Sequence, residues 1–427
     1  MPALSARQRL VEAMTAVAAH HGYAEASVAR VVGEAGMSRA TFYEHFADRD
    51  DCFLAAFRRA AEPLREELRR AVDPAHSPGR PRQVLELLLG AADAHPDTAR
   101  LLLIEAMAGD AEVCGEHERL LGEVEAALDR YLDAAAESAP ALQIPARALL
   151  GGIVNLVAMR VFRQEGGLAD LGEDLLAWLD AYALPPGQER LGEGEWRQLG
   201  SAWGRQDPTP SPTSSAQVVR PLTRGVAAEY RQRVIEAIAR CSREKGYSET
   251  TVADVVAAAG IARAAFYEQF RSKEDAYLAA QSFGLEGGAA VAAARFFTEA
   301  PWPERIWNAA DGLLEYISER PDLAHMQLVE SYRVGPAAIR RSFENRMSFT
   351  IFLEDGYRQR PEAEAIPRLA SEVIAGATEE LFRLQIAQGR TAPARELAPP
   401  GTYVAIAPYI GPEAALEFVR ERCRTAA

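Results

Sequence analysis

Arg39, Thr41, Tyr43 and His45 occupy alternate positions just after Ser38, in a stretch whose side chains can contact DNA. An arginine can pair with guanine through two hydrogen bonds and so read sequence. Tyrosine and histidine side chains can instead contact phosphate oxygens, which positions a protein on the duplex without specifying a sequence. These residue types predict a helix that lies against DNA. The alternative is that Arg39 is an ordinary solvated residue.

Two short helices joined by a sharp turn would hold that stretch in place. Ser27 can cap the first helix, because its hydroxyl can accept a hydrogen bond from an unpaired amide of the first turn. Gly36 allows the positive φ that a tight turn often needs, and Ser38 can cap the second helix. The apolar side chains expected to face the core are Val28, Val31, Val32, Phe42 and Phe46. This pattern predicts a helix-turn-helix, whose second helix suits the major groove of DNA.

The pattern returns from Thr250 to Phe270, at an offset of 224 positions. The matching pairs in and around the helix-turn-helix are Gly22/Gly246, Gly36/Gly260, Arg39/Arg263, Phe42/Phe266, Tyr43/Tyr267 and Phe46/Phe270. Further pairs follow downstream, namely Pro96/Pro321, Asp97/Asp322, Glu105/Glu330 and Gly152/Gly376. Because the offset drifts so little, duplication of a whole module explains the repeat better than convergence of two unrelated domains.

The two copies closely resemble the TetR/AcrR family of bacterial transcriptional regulators, as two full-length modules in tandem. The residues that carry the resemblance are Ser27-Val28-Ala29, Gly36-Met37-Ser38, Thr41-Phe42-Tyr43, His45-Phe46 and Arg49-Asp50, answered by Thr251-Val252-Ala253, Gly260-Ile261-Ala262, Phe266-Tyr267, Phe270 and Lys273-Glu274. The resemblance implies all-α modules, each with an N-terminal three-helix helix-turn-helix domain and an α-helical ligand-binding and dimerisation domain. It also implies a dimeric repressor that binds a palindromic operator and leaves it when a small apolar ligand enters the regulatory domain.

The candidate DNA contacts occupy the same parts of both copies. They are Ser27, Ser38, Arg39, Thr41, Tyr43, His45, Arg49, Thr251, Arg263, Tyr267, Gln269 and Lys273. The copies are not equivalent, because Ala262 stands in place of Ser38 and Ala265 in place of Thr41. We therefore expect the second module to read a different half-site or to bind DNA more weakly. If the two copies pair, their operator should be an imperfect palindrome.

Helical patterns dominate the 427 residues, of which 48% are hydrophobic, and so predict an all-α fold. The expected divisions are a first helix-turn-helix domain at 1–60, a first regulatory domain at 61–186, a linker at 187–222, a second helix-turn-helix domain at 223–283 and a second regulatory domain at 284–427. The linker centre is rich in Pro, Ser and Thr and cannot bury enough apolar surface to order itself. A short helix from about Glu195 to Trp203 is expected to dock on the first module through Trp196 and Trp203.

The last long helices of each copy carry small residues that allow close helix approach. These residues are Ala148, Gly151, Gly152, Ala375, Gly376 and Ala377. A flexible linker of this length spans on the order of 35 Å, which matches the separation of successive major grooves on one DNA face, about 34–36 Å. The sequence therefore favours an intramolecular pseudo-dimer. The alternative is a homodimer with four DNA-reading heads, or one that reads DNA through the first module because the second helix-turn-helix is degenerate.

Polar residues embedded in apolar helices are the only indication of a small-molecule effector, whose identity stays open. The candidates are Glu105, Met107, Tyr131, Asn155, Arg160, Trp307, Tyr316, Glu330, Tyr332 and Glu379. Each of them also fits an ordinary structural or surface role. Glu105 and Glu330 match across the copies, which suits a shared structural bond at least as well as a shared pocket.

Composition and motifs argue against several other classes of protein. The net charge of −14 excludes bulk electrostatic attraction to nucleic acid, although the segments 1–60 and 220–280 are close to neutral. No phosphate-binding loop, metal-spaced cluster or nucleophile–base pair suggests an enzyme, a cofactor or a metal. The four cysteines lack metal-ligand spacing and predict free thiols in a reducing cytoplasm. No apolar run predicts a membrane span.

Overall fold

A computed structural model describes residues 4–71, 81–135, 141–185, 188–205, 226–389 and 394–425. The first copy and the segment after it contain α1 (Ala6–His21), α2 (Val28–Ala35), α3 (Arg39–Tyr43), α4 (Arg49–Ala71), α5 (Pro81–Ala94), α6 (Pro96–Leu103), α7 (Ala111–Ala135), α8 (Ala146–Phe162), α9 (Gly172–Asp180) and α10 (Glu193–Gly204). Short 3₁₀ turns lie at Tyr23–Glu25, Glu105–Ala108 and Leu168–Leu171. The core of the predicted linker, residues 206–222, lies outside the described residues.

The second copy repeats this order. It contains α11 (Val226–Lys245), α12 (Val252–Ala259), α13 (Arg263–Gln269), α14 (Lys273–Phe296), α15 (Trp302–Glu319), α16 (Pro321–His325), α17 (Ser331–Val334), α18 (Pro336–Ser348), α19 (Leu369–Ala387), α20 (Ala398–Ile410) and α21 (Pro412–Thr425). A π-helix at Met326–Glu330 joins α16 to α17, and 3₁₀ turns lie at Phe349–Arg358, Pro361–Ala365 and Ala394–Leu397. The all-α prediction is confirmed: the described residues contain helices and only one isolated antiparallel bridge, Leu142–Ala183.

The chain divides into two compact units that do not follow the copies throughout. One unit comprises residues 1–141 and 153–176, and the other comprises residues 142–152 and 177–427. Two pieces of the first copy, from the start of α8 and the end of α9, thus pack within the unit that contains the second copy. The described helices include none that is long and apolar enough to cross a membrane. All four cysteines are free, as predicted.

Local sequence explains where the N-terminal helices begin and end. Ser5 caps α1: its hydroxyl accepts a hydrogen bond from the Gln8 amide, and the Gln8 side-chain oxygen accepts one from the Ser5 amide. Gly22 ends α1 with φ +85°, a conformation that glycine adopts without steric cost. The inner stripe of α1, including Leu10, Met14 and Val17, is buried in the core of the first unit. This helix is the base on which α2 and α3 pack.

Candidate nucleic-acid interface

The turn between α2 and α3 has the geometry that its sequence predicts. The Ser27 hydroxyl accepts a hydrogen bond from the Arg30 amide at 3.4 Å, and Gly36 ends α2 in the left-handed conformation at φ +62°. The Ser38 hydroxyl accepts from the Thr41 amide at 3.0 Å and lies 3.0 Å from the Thr41 hydroxyl. Ser27 and Ser38 are therefore helix caps, and the two hydroxyls on α3 already share a hydrogen bond.

The two faces of α3 differ sharply in exposure. Phe42 and Phe46 are buried, and the guanidinium of Arg7 lies 4.9 Å from the centre of the Phe46 ring. Arg39 and His45 are exposed, and Tyr43 is 58% exposed even though it is a large aromatic residue. The buried phenylalanines anchor the helix, and the side chains of Arg39, Tyr43 and His45 are accessible to a binding partner.

The second helix-turn-helix reproduces this arrangement with one missing cap. Thr251 and Asp254 form a reciprocal capping box at the start of α12, and Lys245 holds the pKa of the Asp254 carboxyl well below its usual range. Gly260 ends α12 at φ +61°. Ala262 stands at the N-cap of α13 and provides no side-chain hydrogen bond there. The capping hydrogen bond that Ser38 makes in the first copy is therefore absent at Ala262, as the exchange of serine for alanine predicts.

The outward face of α13 carries the same aromatic residue as α3. Tyr267 is 48% exposed, and the guanidinium of Arg263 lies 5.7 Å from the centre of its ring. Gln269, at the end of α13, is half-buried. Phe266 and Phe270 are buried. Both recognition helices thus present one arginine and one tyrosine to solvent above a pair of buried phenylalanines.

Arg49 and Lys273, two of the predicted DNA contacts, make contacts inside their own modules. The guanidinium of Arg49 lies 4.4 Å from the centre of the Tyr23 ring, and its Nε donates to Asp50 at 2.8 Å. The ammonium of Lys273 lies 4.0 Å from the Tyr247 ring and donates to the carbonyl oxygens of Tyr247 and Thr250. Burial lowers the pKa of Lys273.

These contacts make both residues positioning groups for the helix that follows the recognition helix. Burial raises the pKa of Tyr247 to about 12, with Glu274 adding to the effect. The phenol is therefore neutral below that pH, so its ring lies against the Lys273 ammonium without a phenolate charge. Arg49 holds the start of α4 against Tyr23, which lies two positions after α1. Lys273 holds the start of α14 against Tyr247, which lies two positions after α11.

A second pair of arginines in these domains carries a role that the sequence patterns did not reveal. Arg9 donates to the carbonyl oxygen of Ala35 at 2.6 Å, at the end of α2. Arg233, at the matching position in the second copy, donates to the carbonyl oxygen of Gly260 at 2.9 Å. Each arginine satisfies an unpaired C-terminal carbonyl of the first helix of its motif. Only the match of the two arginines at the offset of 224 positions could have indicated this role.

Glu105 and Glu330 form the same structural bond in both copies. The Glu105 carboxylate accepts from the Tyr23 amide at 2.8 Å and from Arg100 Nε at 3.0 Å. The Glu330 carboxylate accepts from the Tyr247 amide at 2.7 Å and pairs with Arg333. Burial raises the pKa of Glu105, although Arg100 and the Tyr23 amide act in the opposite direction.

The remaining candidates of the first copy lie on the 3₁₀ turn Glu105–Ala108, on α7 and on α8. Arg160 pairs with Glu165 at 2.9 Å. Met107 and Asn155 are half-buried on separate elements. The side chain of Tyr131 lies outside the described residues. The part of the chain that the structure describes contains no group of three or more His, Cys, Asp or Glu side chains that could hold a metal ion.

The second regulatory domain contains a cavity of about 130 Å³ among α14, α15, α16, α18 and α19. Tyr316 and Glu379 line it. Tyr332 does not, and burial raises the pKa of its phenol, although the lining residue Arg346 acts in the opposite direction. Trp307 does not line this cavity, since its ring packs edge-on against Trp203 at 4.7 Å. The structure thus gathers part of the predicted ligand set of the second copy around one space.

Comparison with known proteins identifies the two helix-turn-helix segments. Residues 10–56 and 234–280 each match the family of bacterial regulatory proteins known as the tetR family. A TetR-like transcriptional regulator from Rhodococcus sp. RHA1 is 25% identical, with 41% of this chain and 95% of that chain covered and a TM-score of 0.31. A TetR family transcription regulator from Marinobacter aquaeolei VT8 is 20% identical, with 40% and 93% covered and a TM-score of 0.32. No curated protein matches the chain.

Proposed function

We propose that this chain, a TetR-family regulator with two TetR-like modules in tandem, is a ligand-responsive repressor that binds one operator as a pseudo-dimer. Both recognition helices come from the same chain and read the two unlike halves of an imperfect palindrome. A small molecule in a regulatory domain changes the affinity for DNA. The exposed Arg39/Tyr43 and Arg263/Tyr267 pairs are the proposed DNA-reading groups, with Thr41, His45 and Gln269 beside them.

A buried ion cluster carries the pseudo-dimer proposal. Arg147, from the first copy, donates to Glu380 of the second copy at 2.6 Å. Arg383 donates to the same carboxylate at 2.8 and 2.9 Å. All three side chains are buried. Burial alone would raise the pKa of Glu380, but Arg383 and Arg147 more than offset this effect, and the pKa is lowered.

Close helix packing supports the same pairing. A Cβ at Gly151 would overlap the side chain of Glu380, and a Cβ at Gly152 would lie 2.7 Å from Val373 Cγ1. The first turns of α8 can therefore approach α19 only because these two positions are glycines. In the family that the sequence resembles, the corresponding helices join two separate chains. Here one chain supplies both sides of the contact.

The segment that follows α9 adds further contacts between the two copies. Tyr182 donates to the carbonyl oxygen of Val404 at 2.7 Å. On α10, Trp203 donates to Asp311 at 2.9 Å, and Trp196 packs against Tyr403 with ring centres 5.2 Å apart. The two tryptophans were expected to dock on the first module, but they pack on the second copy. A chain segment that binds the other copy favours pairing within one molecule.

The absent cap on α13 supports the alternative, in which only the first module reads DNA. Ala262 provides no cap, Ala265 replaces Thr41, and Lys273 uses its ammonium inside the module. A homodimer would then place two copies of α3 on a symmetric operator. The two schemes differ in the number of chains per operator and in the role of Arg263.

Selection of bound sequences from random DNA, followed by native mass spectrometry on the selected duplex, distinguishes the schemes. The proposal predicts one chain per operator and two unlike half-sites. Arg39→Ala and Arg263→Ala should each weaken binding about tenfold or more, because one arginine–guanine pair contributes roughly 1–3 kcal/mol. Arg358→Ala, an exposed arginine outside both helix-turn-helix domains, is the matched control. Two chains on a symmetric site, together with unchanged affinity for Arg263→Ala, would establish the alternative.

A further inference from the structure

The lining of the cavity in the second regulatory domain includes hydrogen-bond donors that have no acceptor within the described part of the chain. Arg346 and Tyr316 are 4% and 3% exposed. Among the described residues, none accepts a hydrogen bond from Arg346 Nε or Nη1, from Gln327 Nε2 or from the Tyr316 hydroxyl. Buried donors of this kind cost free energy unless they are paired, so their presence in a cavity indicates a ligand that accepts hydrogen bonds.

The fold makes room for these donors. Gly284, on α14, has no side chain, and a Cβ there would overlap the amide of Gln327. Gln327 itself lies in the π-helix Met326–Glu330, an irregularity that is frequent at functional sites. The Tyr316 hydroxyl occupies the space beside Gly287, where a Cβ would likewise overlap it. Two glycines on one helix thus leave the space that the Gln327 side-chain amide and the Tyr316 hydroxyl occupy.

The charges that line the cavity favour an anion. Arg320 and Arg346 are lining cations, and Glu379 is the lining anion. Arg320 also pairs with Glu319 at 2.9 Å, so Arg346 is the cation that a ligand would meet. Arg346 pairs with Glu379 through Nη2, which leaves its other two nitrogens for a ligand. Burial would lower the pKa of Arg346, but Glu379 more than offsets it, so the guanidinium stays charged. Burial raises the pKa of Tyr316, so its hydroxyl keeps its proton and can donate.

Apolar side chains complete the lining of the cavity, and its volume limits the size of an occupant. Leu313, Phe349 and Phe382 are among these side chains. The volume of about 130 Å³ is close to that of an engineered apolar cavity, roughly 150 Å³, that holds one benzene molecule. A whole occupant is therefore about the size of one aromatic ring.

The donor set belongs to the second copy alone. The offset of 225 positions that relates Glu105 to Glu330 places Ala91, Leu102 and Leu121 opposite Tyr316, Gln327 and Arg346. All three donors therefore have apolar counterparts in the first copy. A ligand that needs them can bind only once per chain.

We propose that the second regulatory domain binds one small monocarboxylic acid, whose carboxylate accepts from Arg346, Gln327 and Tyr316 and whose apolar body fills the rest of the cavity. The inference rests on the proposed function, since it identifies the chemical class of the effector. Selectivity follows from the donors: an amine would repel Arg346 and leave every donor unpaired, and a neutral amide would bring N–H groups toward other donors.

Isothermal titration calorimetry on the full chain without DNA tests this inference, with benzoate, benzamide and benzylamine as probes of nearly equal size. Benzoate should bind with one site per chain, and the other two at least tenfold more weakly. Tyr316→Phe and Gln327→Leu should each weaken benzoate binding about tenfold. Tyr403→Phe is the matched control, because the Tyr403 hydroxyl is also buried without a partner among the described residues but does not line the cavity.

Two results would overturn the acid site. One is equal affinity for benzoate and benzamide, and the other is no benzoate binding at millimolar concentration. Affinity for the selected operator, measured by fluorescence anisotropy without ligand, keeps this test separate from the proposed function. Tyr403→Phe should bind DNA as the wild type does. A chain that binds benzoate but no DNA would contradict the regulatory function and still support the acid site.

Discussion

Glu105 joins distant parts of the first copy through one carboxylate. It accepts from the amide of Tyr23, just after α1, and from Arg100, on α6. Glu330 does the same for Tyr247 in the second copy. The acceptor is buried in both copies, so each bond links the start of a helix-turn-helix domain to its regulatory helices without the competition of water. Tyr23 and Tyr247 also hold the cations Arg49 and Lys273 on their rings.

Removing the carboxylate should therefore destabilise the first copy. Glu105→Ala leaves the Tyr23 amide buried without an acceptor, and we expect the free energy of unfolding to fall by about 2 kcal/mol. Urea unfolding followed by circular dichroism measures the change. Glu112→Ala is the control, because Glu112 is an exposed residue in a surface pair with Arg58, and it should shift stability by less than about 0.5 kcal/mol. Equal effects of the two substitutions would contradict the role of Glu105.

The sequence matched Glu105 with Glu330 but could not decide between a structural bond and a pocket. The deciding contact joins residues that are 82 positions apart, and no local pattern encodes it. The caps at Ser27 and Ser38 were predictable, because capping depends on residues within one turn of the chain. Lys273 was predicted to contact DNA from its position in the local motif. Its contacts with Tyr247 and Thr250 arise only once α14 packs against α11.

At the level of helices, α8 and α19 meet through glycines and a buried charge cluster. Hydrophobic packing alone would not favour one register for two helices whose facing residues are small. The Glu380 carboxylate can pair with Arg147 only when α8 lies in the observed position. Arg383 lies on α19 itself and pairs with Glu380 within that helix. A buried cluster of this kind adds little net stability, but its loss leaves charges without partners. We infer that it specifies the register of this helix pair.

Glu380→Gln should lower the free energy of unfolding by about 3 kcal/mol at neutral pH, because two buried guanidinium groups lose their counter-charge. The folded-state pKa of Glu380 lies below its ordinary value of 4.5. The stabilisation that ionised Glu380 provides is therefore complete above about pH 4.5. It is lost as the pH falls through the lower folded-state pKa of Glu380. Guanidinium unfolding curves between pH 7 and pH 3 measure this dependence.

The difference in the free energy of unfolding between wild type and Glu380→Gln should decrease as the solution becomes more acidic. Glu362→Gln, an exposed glutamate on the 3₁₀ turn Pro361–Ala365, should have no comparable effect at any of these pH values. A difference that stays constant from pH 7 to pH 3 would show that the charge of Glu380 is not what holds the two helices.

Helix positions were the most predictable feature of the elements. The sequence predicted the turn at Gly36 and its counterpart at Gly260, and both end a helix in the left-handed conformation. It did not predict the π-helix at Met326–Glu330, nor the side on which α10 docks. Both depend on tertiary contacts: Gln327 needs the space that Gly284 leaves, and Trp203 needs the acceptor that Asp311 provides. The sequence therefore identified only two of the polar residues that line the cavity, Tyr316 and Glu379.

For the whole molecule, the proposed pseudo-dimer removes the usual dependence of a dimer on concentration. One chain that contains both reading heads should occupy its operator with a Hill coefficient of about 1, even far below micromolar protein. Its affinity should also fall steeply with salt, because two heads displace counterions from the phosphates. Fluorescence anisotropy over a range of salt concentrations measures both properties. A Hill coefficient near 2 would indicate assembly of two chains on the DNA.

The cap difference between Ser38 and Ala262 has a consequence for orientation. A homodimer on a palindrome looks the same when it is turned end for end, so it carries no direction along the duplex. A single chain with unlike heads is directional, because its stronger head belongs on one particular half-site. Inverting its operator would turn the bound protein around, and the surface that faces a neighbouring gene would change with it.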